Sequence, residues 1–306
     1  MSLSNYSLVL KNDGTLWGCG RNDYGQLGLG DTTNRTTFTQ ITTNADDIKS
    51  VYYGENYTLI LENDGTLWGC GQNNLGQLGL GDTINRTTFT QITTNTDDIK
   101  EIYCGAYHVF ILENDGTLWS CGRNDYGQLG LGDSNNRTTF TQVTINANDI
   151  KSIYCGHHYT LILKNDDTLW GTGRNNCGQL GLGDTTDRTI FTQVTTNINN
   201  IKEIYCGAHH AFILKNDGTL WGCGQNNYGQ LGLGDDTDRN TFTQVTTNTD
   251  NIKEIYCGCY HTFILKNDGT LWGTGYNNVG ELGLGDDTNR NTFTQVTTNV
   301  NDIKLA

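Results

Sequence analysis

The six tryptophans stand at Trp17, Trp68, Trp119, Trp170, Trp221 and Trp272, always 51 residues apart. A fixed period of this size marks a repeat architecture, in which each unit hides its apolar face against its neighbours. The period runs without insertion through all 306 residues, six times 51. It therefore predicts one domain, residues 1–306, in place of the two that length alone suggests. The ends complement each other. Joining Ile303–Ala306 to Met1–Ser7 gives eleven residues, the length of the internal IKEIYCGAYHV from Ile99 to Val109. Each terminus thus carries part of one unit.

Inside the unit, HTFILK at His261–Lys266 and TLWGTG at Thr270–Gly275 are rich in β-branched and aromatic residues and read as strands. Asn267-Asp268-Gly269 joins them, and glycine supplies the positive φ that a tight hairpin needs. Five of six copies keep that glycine; Asp167 replaces it in the fourth, where aspartate tolerates the left-handed region at modest strain. IKEIYCG and TFTQVT complete four strands, and nothing in the unit reads as a helix. A composition of 35% hydrophobic residues, 39 glycines and no proline suits a turn-rich chain that can build a core. Six four-stranded units with complementary ends predict an all-β fold. The expected architecture is a single six-bladed β-propeller, its ring closed by pairing of the N- and C-terminal strands.

The stretch GCYHTFILKNDGTLWGTGYNNVGELGLGD, Gly258 to Asp286, resembles the repeat of the regulator of chromosome condensation family. The resemblance rests on the Gly-x-x-His-Thr element, the Asp-Gly turn, the Trp-x-x-Gly-x-Asn run and the Gly-Gln-Leu-Gly segment, and it covers the whole chain. It implies a β-propeller. Members usually have seven blades and a proline after the Gly-Leu-Gly-Asp segment, whereas this chain has six units and no proline. The family's exchange factor uses a basic tail and an insertion to reach a small GTPase; neither is seen here, so that activity is not expected. A light-sensing member carries tryptophan where this chain has Ala106-Tyr107, His157-His158, Ala208-His209 and Cys259-Tyr260, which argues against photoreception.

The glycine-rich GQLGLGD segment lacks the lysine, the Ser/Thr and the following helix of a phosphate-binding loop. It reads as a turn that lets backbones of adjacent units approach closely. An aspartate recurs after it (Asp31, Asp82, Asp133, Asp184, Asp235, Asp286), with an arginine four residues on in every unit, which suggests a turn clamp more than a calcium cage. All six histidines lie in one corner of the repeat. His108, His210 and His261 share a column with Tyr6, Tyr57 and Tyr159, so an aromatic hydrogen-bonding role is expected there and not metal or general-base chemistry. Most of the ten cysteines also fall in two repeat columns without any Cys-x-x-Cys, as small buried residues of a reducing, cytoplasmic compartment would. No catalytic residue, metal site or cofactor is called for. The first residues show no signal-like pattern, and no segment approaches a membrane span.

A net charge of −14 disfavours nucleic acid and anionic membranes as partners. Positions that differ between near-identical units are those least dictated by the blade. One such column is Tyr24, Leu75, Tyr126, Cys177, Tyr228 and Val279; another is Arg21, Gln72, Arg123, Arg174, Gln225 and Tyr276. Both follow the tryptophan strand and are expected to gather on one face as a protein-binding surface, since tyrosine and arginine are frequent interface anchors. The expected function is a monomeric, non-enzymatic propeller that binds a protein. The alternatives are a structural or engineered repeat segment without its own ligand, and a hydrolase or lyase with a site in the axial channel.

Overall fold

The computed structural model describes residues 5–43, 47–93, 98–145, 149–196 and 198–296. The backbone packs as two bodies, Ser2–Asp149 and Ile150–Ala306. All regular structure among the described residues is β.

The first body holds three antiparallel sheets. In the first, Tyr6–Leu10, Leu16–Gly20 and Arg35–Ile41 pair in chain order. The second comprises Ile48–Tyr53, Tyr57–Glu62, Leu67–Gly71 and Arg86–Gln91; the third comprises Ile99–Cys104, His108–Glu113, Leu118–Gly122 and Arg137–Gln142. The second body repeats the four-stranded pattern three times. Its strands are Ile150–Cys155, Tyr159–Lys164, Leu169–Gly173 and Arg188–Val194, then Ile201–Cys206, His210–Lys215, Leu220–Gly224 and Arg239–Val245, then Ile252–Cys257, His261–Lys266, Leu271–Gly275 and Arg290–Gln295. The four strands expected per unit are thus present in five sheets. The closing strand expected from Ile303–Ala306, and its junction with Met1–Ser4, lie outside the described residues.

Local chemistry explains the repetition. At the Asn-Asp-Gly turn, Gly14 has φ +83° and donates its N–H to the Lys11 carbonyl at 3.0 Å, while Asp13 accepts from the Thr15 N–H, also at 3.0 Å. Asp167 adopts φ 60° and makes the same turn to Lys164. The tryptophan indole caps this hairpin: in four repeats its N–H donates to the turn threonine and a lysine lies over the ring, as Lys215 does over Trp221 at 4.0 Å. Where Glu62 replaces that lysine, the Trp68 indole donates to its carboxylate at 2.7 Å instead.

The histidine/tyrosine strand is the core of four of the sheets, buried at every position from Tyr57 to Glu62, His108 to Glu113, Tyr159 to Lys164 and His210 to Lys215, while in the first sheet only Tyr6 of this strand is buried. Its aromatic column carries the expected hydrogen bonds from one repeat to the next. Tyr57 Oη donates to the carbonyls of Gly105 and His108, both at 2.9 Å, and Tyr159 Oη donates to the His210 carbonyl at 2.6 Å. His210 Nε2 pairs with Thr262 Oγ1 at 2.9 Å. Burial, with the nearby His261 and His209 adding to it, pulls the His210 imidazole down to about 3, so this ring is neutral near pH 7.

The glycine-rich loop is fastened at both ends. Asn226, fully buried, donates to the Asp235 carbonyl at 2.8 Å and accepts from the Leu231 N–H at 2.8 Å. Arg239 then grips the Asp235 carboxylate at 2.5 Å, and this aspartate–arginine clamp recurs in all six repeats. The aspartate oxygens are thereby engaged within the turn. Each arginine holds its aspartate carboxyl below the usual range.

Candidate protein-binding face

Each tryptophan strand ends in a glycine that turns the chain beside the loop leading into the histidine/tyrosine strand. The pairing is by backbone. In the first body the N–H groups of Arg21, Gln72 and Arg123 donate to the carbonyls of Asn5, Asn56 and Tyr107 at 2.8–2.9 Å. In the second, Arg174, Gln225 and Tyr276 donate to His158, His209 and Tyr260 at similar distances. Two side-chain columns therefore stand next to each other within each body. The other variable column is set by the buried glutamine two residues later, whose side-chain carbonyl accepts the N–H of Tyr24, Leu75, Tyr126, Cys177 and Tyr228 at 3.0 Å. Glu281 does the same for Val279.

The first body makes this surface from charge and tyrosine. Arg21 is paired with Asp23 at 2.6 Å and lies over the Tyr24 ring at 5.6 Å. Arg123 is paired with Asp125 at 2.7 Å and lies between the rings of Tyr107 and Tyr126, 5.7 and 5.8 Å from their centres. Burial and a hydrogen bond to Glu55 push the Tyr107 hydroxyl well up. Leu75 is half-buried. Gln72 is 7% exposed and engaged with Asn56 and Asn74, so it offers no free side chain to a partner.

The second body makes it from rings. Tyr228 packs edge-on against Tyr276 at 5.0 Å and Tyr260 at 5.5 Å. Tyr260 continues to His209 at 6.2 Å, and His209 to His157 and His158 at 6.0 and 6.4 Å. His157 Nδ1 and His158 Nε2 share a hydrogen bond of 2.7 Å. Burial, reinforced by Arg174 and His157, pulls His209 down to about 4, so its ring joins this series neutral. Cys177 is half-buried; burial raises its thiol to about 11, with the Asp238 carboxylate adding to the effect, so it is held as the neutral thiol near pH 7. Val279 stands 83% exposed.

The structure thus brings Arg21 to Tyr24, Arg123 to Tyr126 and Tyr228 to Tyr276. It also adds Tyr107, His157, His158, His209 and Tyr260, which the sequence reading did not count as binding residues. Their signal was available: the column Asn5, Asn56, Tyr107, His158, His209, Tyr260 varies between repeats as much as the two chosen columns. His210, by contrast, is fully buried and cannot touch a substrate. Among the described residues no group of three or more His, Cys, Asp or Glu is placed to hold a metal ion, and no helix is long and apolar enough to cross a membrane. Six of the ten cysteines, Cys70, Cys121, Cys155, Cys206, Cys223 and Cys257, are buried.

Comparison with known proteins gives a consistent family pattern. The RCC1-like domain profile matches residues 2–197, and the regulator of chromosome condensation (RCC1) repeat matches residues 217–265, with a second form of that repeat at 201–230 and 252–281. The ultraviolet-B receptor of Arabidopsis thaliana is 33% identical over 290 residues, 92% of this chain and 66% of the receptor. The human X-linked retinitis pigmentosa GTPase regulator is 32% identical over 321 residues, covering 85% of this chain and 31% of the regulator. The chain therefore spans just under two thirds of the first of these relatives and under one third of the second. Among solved structures, Prp20p of Saccharomyces cerevisiae superposes with a TM-score of 0.84 at 21% identity, over 97% of this chain and 76% of Prp20p.

Proposed function

The chain belongs to the RCC1-like domain family and has its β-propeller fold, and on that premise we propose that it is a single-domain, non-enzymatic propeller that binds a protein through loops on one face. The observation that carries this reading is the pair of surfaces just described. Half-exposed tyrosine, imidazole and arginine groups stack on one another in positions that the blade does not dictate. Such groups present large, rigid contact area at low entropic cost and dominate measured interfaces. Loops on a rigid scaffold are also where binding residues concentrate. Relatives of the fold support it: yeast RCC1 (Prp20) has been solved with Kap60 bound, and Prp20p has been studied for binding to Gsp1p and histones. A net charge of −14 weighs against nucleic acid and anionic membrane as the ligand. The buried thiols suit a reducing compartment such as the cytoplasm.

The test is affinity capture at physiological salt, with the wild-type chain and a Tyr24→Ala, Tyr126→Ala, Tyr228→Ala triple variant as baits. The expected result is a protein retained by the wild type and lost, about tenfold or more, by an equally folded variant. Equal retention by both baits would move the binding site off this face.

A further inference from the structure

The hexapeptide Asn-Asp-Gly-Thr-Leu-Trp recurs without change at residues 12–17, 63–68, 114–119, 216–221 and 267–272; the fourth repeat, with Asp167 for glycine, departs from it. An Asp-Gly pair is prone to rearrange, because the glycine nitrogen can attack the aspartate side chain with no β-carbon in the way. Each of the five aspartates is exposed, and a β-carbon at Gly14, Gly65, Gly218 or Gly269 would meet nothing within 4 Å. In every copy the glycine N–H donates to the carbonyl three residues earlier, at 2.9–3.1 Å. The nucleophile is therefore held alike in all five turns.

The carboxyl group is not. In the first, fifth and sixth repeats the indole N–H of Trp17, Trp221 or Trp272 donates to the turn threonine hydroxyl at 2.9–3.0 Å. That commits the hydroxyl's one proton to the aspartate: Thr15 donates to Asp13 at 2.6 Å, and Thr219 and Thr270 donate to Asp217 and Asp268 at 2.7 Å. The lysine over each indole adds a charge that favours the carboxylate. In the second and third repeats Glu62 and Glu113 stand in place of that lysine. Trp68 gives its N–H to Glu62 at 2.7 Å, and the Trp119 N–H is buried without an acceptor among the described residues. Neither indole orients its threonine. Asp64 and Asp115 are held first by the backbone N–H of Thr66 and Thr117, at 2.8 and 2.7 Å, with the hydroxyl a lesser contributor.

We propose that Asp64 and Asp115 are modification sites at which this chain converts to isoaspartate, ahead of Asp13, Asp217 and Asp268, whose indole–threonine relay holds the carboxylate. The Gly65 amide nitrogen gives up its proton and bonds to Asp64 Cγ, and a carboxyl oxygen leaves as water. Water then reopens the five-membered imide. Attack at the former backbone carbonyl of Asp64 leaves the chain running through the side chain, with a free α-carboxylate and no net change in mass. Gly116 acts on Asp115 in the same way. The carboxyl must be neutral to lose its oxygen, so each hydrogen bond that favours the carboxylate slows ring closure. The product places an extra backbone carbon in a tight hairpin and exposes the carboxylate that an isoaspartate methyltransferase esterifies. None of this depends on the proposed binding face.

The experiment incubates the full chain near neutral pH over several weeks, locates isoaspartate by peptide mapping and totals it by enzymatic methyl transfer from S-adenosylmethionine. The same chain unfolded in urea and a Glu62→Lys variant are run beside it, the variant's fold checked by circular dichroism. In the folded chain Asp64 and Asp115 are expected to convert about threefold or more faster than Asp13, Asp217 and Asp268, since the neutral fraction of a carboxyl follows its hydrogen bonds. In urea the five identical hexapeptides are expected to convert at similar rates. Glu62→Lys gives the second repeat the lysine of the first, fifth and sixth; it is expected to bring Asp64 down to their rate and leave Asp115 unchanged. Equal rates at the five folded sites, zero included, overturn the proposal. So does slower conversion at Asp64 and Asp115, or a Glu62→Lys variant whose Asp64 converts as before.

Discussion

His210 shows how a single position couples this fold to pH. Tyr57 and Tyr159 do the same joining work with a hydroxyl that stays neutral, whereas an imidazole in that cavity must stay unprotonated. In the unfolded chain it titrates near 6.5; in the folded chain burial pulls it down to about 3. Between those values the unfolded state holds the proton and the folded state does not. The stability that this site contributes is therefore complete above pH of about 6.5 and falls by about 1.4 kcal/mol per unit as the pH drops towards the folded value. Replacing the ring as His210→Tyr, the residue found in three other repeats, is expected to flatten that loss. Urea midpoints of the wild type and variant at pH 7 and pH 4.5 measure it; an equal loss in both would place the acid sensitivity elsewhere.

At the scale of the element, the hairpin between the histidine/tyrosine and tryptophan strands is the most legible part of the sequence. Asn-Asp-Gly names the turn, and the one exception behaves as its chemistry requires, with Asp167 held at φ 60°. Its ion pair with Lys151 at 3.6 Å is exposed and contributes little. Asp167→Gly is accordingly expected to raise stability by about 0.5–1 kcal/mol, read as a higher thermal midpoint, by relieving the left-handed strain. An unchanged or lower midpoint would mean that the aspartate fits the turn as well as glycine. The loop that follows the tryptophan strand was less legible. Its variable columns are plain in the repeat, but exposure there is set by the partner loop 16 residues upstream. Gln72 faces Asn56 and is consumed by it, whereas Tyr276 faces the Tyr260 ring and stays partly exposed. The column of Tyr107, His158, His209 and Tyr260 was overlooked because it adjoins the buried aromatic column and was read together with it.

At the scale of the whole molecule, the 51-residue period specified a chain of four-stranded antiparallel sheets, and the fold of its relatives is the propeller that this period implies. On the function proposed above, the invariant columns build blades and binding falls to the loop positions where repeats differ, an arginine–tyrosine surface in one body and a tyrosine–histidine surface in the other. The most direct test of that division is amide hydrogen exchange on the protein with and without its captured partner. Protection is expected in the loops that carry Tyr107, Arg123–Tyr126, His209, Gln225–Tyr228 and Tyr276, with the Asn-Asp-Gly turns unchanged. Protection confined to those turns, or to the isoleucine strands such as Ile201–Cys206, would contradict the assignment of binding to this face.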